Sequence, residues 1–204
     1  ELTVRRLVLL AVVFAGIFTL TALIADPIEW GDSFRNVSMT IIGLTMYLWG
    51  TRVMADAVLD EIASGTWDGQ RLTALSPVQM TLGKIFGAPV FVYLIVALAI
   101  GAWTGGEILE RFGVFAGGAS GDLIDLATLV ISGLFAMLTA FWVSLAIATR
   151  SSGQKRRFQT TLGQIVGIIA GITVYNIIQI DVGDLMQSVL RGPEGIEEAP
   201  RTNF

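Results

Sequence analysis

Five apolar runs, each of about twenty residues or longer, constrain this chain more than anything else in it: 7–25, 37–58, 85–103, 123–149 and 162–180. Roughly 20 mostly apolar residues span a bilayer as a helix, and only helices or closed barrels leave no backbone group unpaired in lipid. The runs are continuously apolar instead of short and alternating, which disfavours a barrel. The expectation is therefore an all-α fold: a polytopic membrane bundle of about five transmembrane helices, forming one transmembrane domain over residues 1–204. Composition agrees, with 53% hydrophobic and 15% charged residues, where a soluble domain is about a quarter charged. The mean hydropathy is +0.71.

Charges set the orientation. With the first terminus in the cytoplasm, Arg5, Arg6, Arg52, Arg71, Lys84, Arg150, Lys155, Arg156 and Arg157 fall inside, and Arg35, Arg111, Arg191 and Arg201 outside. Cytoplasmic loops carry the excess of Lys and Arg, so this distribution predicts a multi-pass protein of the inner (plasma) membrane with a cytoplasmic N-terminus. Lys155-Arg156-Arg157 reads as the main cytoplasmic anchor. Pro89 interrupts the third run, where it removes a backbone donor and favours a kink. Beyond the fifth run the outer tail, 181–204, opens with Val182, Leu185, Met186 and Val189 at helical spacing, suiting a stretch along the interface, and turns acidic and Pro-containing from Gly192. Glu1 stands where an initiator methionine would, so a native terminus is expected upstream.

The residue inventory excludes much chemistry. The chain has neither cysteine nor histidine, which removes disulfides, thiolate or imidazole metal sites, histidine-ligated haem and Ser-His or Cys-His pairs. No charge sits at the middle of a run, against a proton relay, a voltage sensor or ion-coupled transport. There is no HExxH, GxSxG or phosphate loop, and Asp122 and Asp184 lack the glycine pattern of an aspartyl membrane protease. No catalytic residue, metal or cofactor is expected, and the net charge of −4 says nothing in favour of nucleic acid.

Small residues mark a close helix pair. Gly163, Gly167 and Gly171 lie at four-residue steps in the fifth run, and Ser132, Ala136 and Ala140 do so in the fourth. Such stripes let backbones approach, either within one bundle or between subunits. Asn176 and Gln179, near the outer end, suit interhelical hydrogen bonds or a solute path.

The polar exception is the stretch 56–84 between the second and third runs, which the charges place in the cytoplasm. Residues 56–63 continue the second helix, Ser64-Gly65 breaks it, and Thr66 can cap the next segment. Ser76-Pro77 fits the start of another helix, with Ser76 as cap. Trp67, Leu72, Leu75 and Met80 supply apolar anchors. The result is a cytoplasmic elbow over 59–84, helix to turn to re-entering helix.

Glu61, Ser64-Gly65-Thr66, Leu72-Thr73 with Leu75-Ser76-Pro77, and Leu82-Gly83-Lys84 together resemble the first cytoplasmic loop of type-2 ATP-binding-cassette (ABC) transporter permeases. That resemblance covers about thirty residues. It implies that the elbow is a coupling helix docking onto a cytoplasmic ATP-binding subunit through Glu61, Gly65, Thr66, Leu75, Ser76, Pro77, Gly83 and Lys84; Asp68 and Arg71 are a local elaboration outside that pattern, expected either to face the partner or to be solvated loop charges. It further implies a permease, usually an exporter, paired with a second permease subunit as a homo- or heterodimer, with ATP hydrolysis confined to the partner. Such permeases have six spans where this chain shows five. The alternative is a non-transporting structural or assembly subunit of a larger membrane complex.

Overall fold

The computed structural model describes residues 12, 13, 16, 17, 19, 20, 23, 24, 30–64, 76–111, 122–150 and 156–191, and among these all regular structure is helical. Helix α1 (Trp30–Leu44) passes through a π-helical segment (Thr45–Gly50) directly into α2 (Thr51–Ala63). Next come α3 (Pro77–Gly87), α4 (Val90–Arg111), α5 (Asp122–Arg150) and α6 (Arg156–Arg191). Three stretches are long and apolar enough to cross a membrane: Val90–Ile108, Leu123–Thr149 and Arg157–Ile180. They are compatible with a multi-pass membrane protein.

The second expected run, 37–58, lies inside the unbroken helix 30–63, which at 1.5 Å per residue is about 51 Å long. Of the first expected run, 7–25, the described residues are helical, and Val12, Val13, Ile17, Leu20, Leu23 and Ile24 are exposed. The fourth run coincides with the apolar stretch of α5. The fifth starts earlier than expected, at Arg157, and its helix continues through residues 181–191; residues 192–204 lie outside the described ones.

The third run departs most from expectation. The helix is interrupted at Ala88–Pro89, so that residues 77–87 form one helix and the membrane-length stretch begins at Val90, although Ala88 keeps helical φ and ψ and its N–H bonds Lys84 O at 3.0 Å. Proline has no N–H, so the carbonyl four residues back, Ile85 O, lacks its helical donor. The Tyr93 hydroxyl supplies one at 2.9 Å, bridging the break.

Side-chain contacts fix the directions of the helices. Gly43 approaches Leu129, Gly133 approaches Met46, and Gly50 approaches Met137, so the α1–α2 helix runs parallel to α5. Gly163, Gly167 and Gly171 pass Ser144, Ala140, Ala136 and Ser132 in reverse order, so α6 runs antiparallel to α5. The start of α1 meets the end of α4, where Arg35 pairs with Asp32 and reaches Glu107 at 3.4 Å. One end of the bundle thus holds Asp32, Arg35, Glu107 and Asp125; the other holds Arg52, Asp56, Arg157 and the elbow. Between them Ile42, Met46, Met54, Val92, Met137 and Phe141 are buried together.

The middle is built by fitting methionine to glycine. A Cβ on Gly133 would lie 2.8 Å from Met46 Sδ, and one on Gly50 would lie 2.7 Å from Met137 Sδ, so each flexible thioether occupies the notch opposite it. The π segment shifts the hydrogen-bond pattern here: Thr51 N–H reaches back five residues to Met46 O, and its hydroxyl donates to the skipped Tyr47 O.

Candidate functional site

The described part of the elbow is built from three local devices. Helix α2 ends at Ser64, whose N–H still bonds Asp60 O at 3.0 Å while its hydroxyl turns back to Glu61 O. Helix α3 begins with a reciprocal cap: Ser76 Oγ accepts from Gln79 N–H at 3.3 Å, and Gln79 Oε1 accepts from Ser76 N–H at 3.0 Å. Pro77 occupies the first turn, where its missing N–H costs nothing. Across the elbow, Lys84 Nζ pairs with Glu61 Oε2, with the two side chains only 11% and 24% exposed. Two residues 23 positions apart, both in the pattern picked out from sequence, are therefore the clasp between α2 and α3.

Gly83 also lies on α3, with open space where a side chain would be. Gly65, Thr66, Asp68, Arg71 and Leu75 fall outside the described residues. Helix α3 packs extensively against none of the other described helices. Its Val78, Leu82 and Phe86, four residues apart, are exposed, while Ile85 touches the core from the other side.

The small-residue stripes meet inside the chain. A Cβ on Gly167 would lie 2.6 Å from Ala136 O and 2.8 Å from Ala140 Cβ; one on Gly171 would lie 2.5 Å from Ala136 Cβ and 3.0 Å from Ser132 O. A Cβ on Gly163 would overlap Ser144 Oγ. Of the two readings open from sequence, bundle packing or subunit contact, the structure shows these residues used for the first, by α5 against α6.

Polar bonds tie α5 both to the π segment and to α6. Tyr47 OH donates to Ser132 Oγ at 2.7 Å, and Gln179 Nε2 donates to Asp125 Oδ1 at 2.6 Å, crossing from α6 to α5. Asn176 instead donates to Ile172 O of its own helix.

Next to the elbow, at the same end, lies a feature that sequence reasoning misses. Arg52 and Asp56 of α2 and Arg157, Thr160, Thr161 and Gln164 of α6 line a half-open cleft of about 500 Å³. Thr160 Oγ1 donates to Asp56 Oδ1 at 2.9 Å, and Gln164 Nε2 donates to Leu48 O in the π segment at 2.9 Å. Arg52 Nε faces Asp56 Oδ2 at 3.8 Å. Arg157 has no carboxylate partner among the described residues. The signal is present as two polar stripes at helical spacing, 52 and 56 on one helix and 157, 160, 161 and 164 on the other. Among the described residues no group of acidic side chains is placed to hold a metal.

Compared with protein-family models, with characterised proteins and with solved structures, the chain matches none of them.

Proposed function

We propose that this chain is a permease subunit of an ABC transporter, with the N-terminus and the 59–84 elbow in the cytoplasm of a cell bounded by the membrane it spans. In this reading it works as an exporter, paired with a second permease copy and driven by a separate ATP-binding subunit. Residues 7–25 and the helix 30–63 add two spans to the three apolar ones.

The observation that carries the reading is the clasped elbow. Glu61 and Lys84 tie the end of one long helix to the start of the next segment, and a capped α3 leads through a proline break into a membrane-length helix. A docking element must transmit displacement instead of absorbing it, and an ion pair less than a quarter exposed across the turn serves that purpose. The basic residues Arg52, Lys84 and Arg157 gather at this same end, as a cytoplasmic face requires. The alternative, a non-transporting assembly subunit, would offer neighbours its glycine stripe, and that stripe is occupied by α5.

The test is recovery from native membranes through a tag on this chain. The expected result is a co-purifying phosphate-loop ATPase without spans of its own, lost on Glu61→Lys and retained with Gly101→Ala, a change in open space on α4. Stoichiometric recovery with membrane proteins that include no ATPase would refute the proposal.

A further inference from the structure

The cleft between α2 and α6 has the chemistry of an anion site. Its two guanidiniums and one carboxylate leave one net positive charge. The carboxylate is already engaged: Asp56 accepts from Thr160 on one oxygen and faces Arg52 on the other. Arg157 has no such partner among the described residues, so its donors are available to a guest. The Thr161 hydroxyl lines the same space, and although it donates to Arg157 O at 2.8 Å it keeps its acceptor capacity and can reorient.

The position of the cleft narrows the guest further. Gln164 and Arg157 lie at the polar beginning of the apolar stretch Arg157–Ile180, and immediately beyond them α6 exposes Ile165 (50%) and Ile169 (60%). On the α2 side, Leu48 and Trp49 of the π segment are exposed at the same level. A cationic cleft followed along both helices by exposed aliphatic and indole groups fits the level at which a bilayer's headgroups meet its acyl chains.

We propose that this cleft binds a phosphate group at the membrane surface, with Arg157 and Arg52 as its cationic ligands and Thr161 as a hydroxyl partner. Guanidinium pairs phosphate by parallel charge-assisted hydrogen bonds, which neither the threonines nor the glutamine alone would supply. Two sources carry such a group, an anionic phospholipid headgroup and free inorganic phosphate. The adjoining Ile165, Ile169 and Leu48 favour the lipid, because acyl chains can lie along them while the headgroup occupies the cleft. This inference needs only the membrane-spanning bundle and holds whether or not the chain couples to an ATPase.

The experiment uses the full chain in detergent micelles. Native mass spectrometry compares dioctanoyl phosphatidic acid with dioctanoylglycerol, which lacks only the phosphate, and calorimetry titrates inorganic phosphate. Phosphatidic acid is expected to be retained over dioctanoylglycerol and to lose about tenfold or more in affinity in the double variant Arg52→Gln with Arg157→Gln. Arg157→Lys, which keeps the charge but loses the planar two-pronged geometry, should retain more binding than Arg157→Gln and less than the unsubstituted chain. Arg157→Gln alone serves as a second variant, since this side chain breaks no ion pair among the described residues. Inorganic phosphate binding with the same losses would also support the site and assign it to the free anion. Equal retention of phosphatidic acid and dioctanoylglycerol, or wild-type affinity in the double variant, would overturn it.

Discussion

Replacing Gly167 by alanine tests the contact on which the bundle depends. The new methyl would meet Ala136 O at 2.6 Å, Ala140 Cβ at 2.8 Å and Ala140 N at 3.1 Å. All three belong to the backbone of α5 or to a side chain with no rotamer to change, so relief requires the helices to part. Ordinary contact begins at 3.4 Å and the carbonyl lies at 2.6 Å, so the local separation must grow by about 0.8 Å. Because both helices are rigid, the loss spreads to the neighbouring contacts at Gly163 and Gly171. Overpacking of this kind costs roughly 1–3 kcal/mol, against roughly 1 kcal/mol that alanine gains over glycine in a helix interior. The net expectation is a destabilisation of up to about 2 kcal/mol. Gly101→Ala on α4 meets nothing within 4 Å and should instead gain up to about 1 kcal/mol. Gly163→Ala should fall between them, because its nearest obstacle is the rotatable Ser144 hydroxyl and the next, Ala140 O, lies at 3.2 Å. The assay is equilibrium unfolding in mixed micelles followed by tryptophan fluorescence. A Gly167→Ala chain as stable as Gly101→Ala would refute the close α5–α6 approach.

Two further predictions concern the elbow and the break behind it. Tyr93→Phe should cost about 0.5–1.5 kcal/mol by leaving Ile85 O without its donor, and the cost should shrink in a Pro89→Ala background, where a backbone N–H becomes available; equal costs in both backgrounds would show that the hydroxyl does not substitute for the missing amide. For the Glu61–Lys84 clasp, Glu61→Gln and Lys84→Met should each destabilise, and a double-mutant cycle should return a coupling of about 0.5–3 kcal/mol; strictly additive losses would mean the pair does not hold the elbow.

Apolar runs are legible when charges bound them. Asp122 and Arg150 frame 123–149, and the apolar stretch of α5 begins and ends just inside them. Sequence places the start of the fifth run at Leu162, after the polar Gln159, Thr160 and Thr161, yet the fold buries Gln159 and Thr160 and carries the helix through them. The same residues hide the cleft. Each polar stripe alone is an ordinary solvated helix face, and about a hundred residues separate them in the chain, so only the docking of α2 on α6 makes a concavity. Pro89 is visible as a defect, but whether it kinks or breaks a helix depends on which group fills the empty carbonyl. Here that group is a side chain four residues further on, which propensity does not report. The middle of the elbow, with Gly65, Thr66, Asp68, Arg71 and Leu75, lies outside the described residues.

Packing divides the molecule into a tightly held part and a loosely held one, and the division bears on the proposed coupling. The α1–α2 helix, α4, α5 and α6 pack into one body, with methionines seated in glycine notches and two helices in near-backbone contact. Such an interior transmits strain because it cannot compress. Helix α3 stands apart: it joins that body through the Lys84 pair, Ile85 and the Tyr93 hydroxyl, while Val78, Leu82 and Phe86 face outward. Between α3 and α4 the break at Ala88–Pro89 removes the helical hydrogen bond that would make them one rod. If a partner subunit pushes on the elbow, bending therefore concentrates at 88–89, and the Glu61–Lys84 clasp decides whether α2 moves with α3. With the clasp intact, the push reaches the long helix 30–63 and hence α5 through Gly50 and Met137; with the clasp cut, it is dissipated at the proline. Glu61→Gln should thus uncouple ATPase activity from movement of the bundle without unfolding it, and a variant that keeps wild-type coupling would show that force enters by another route.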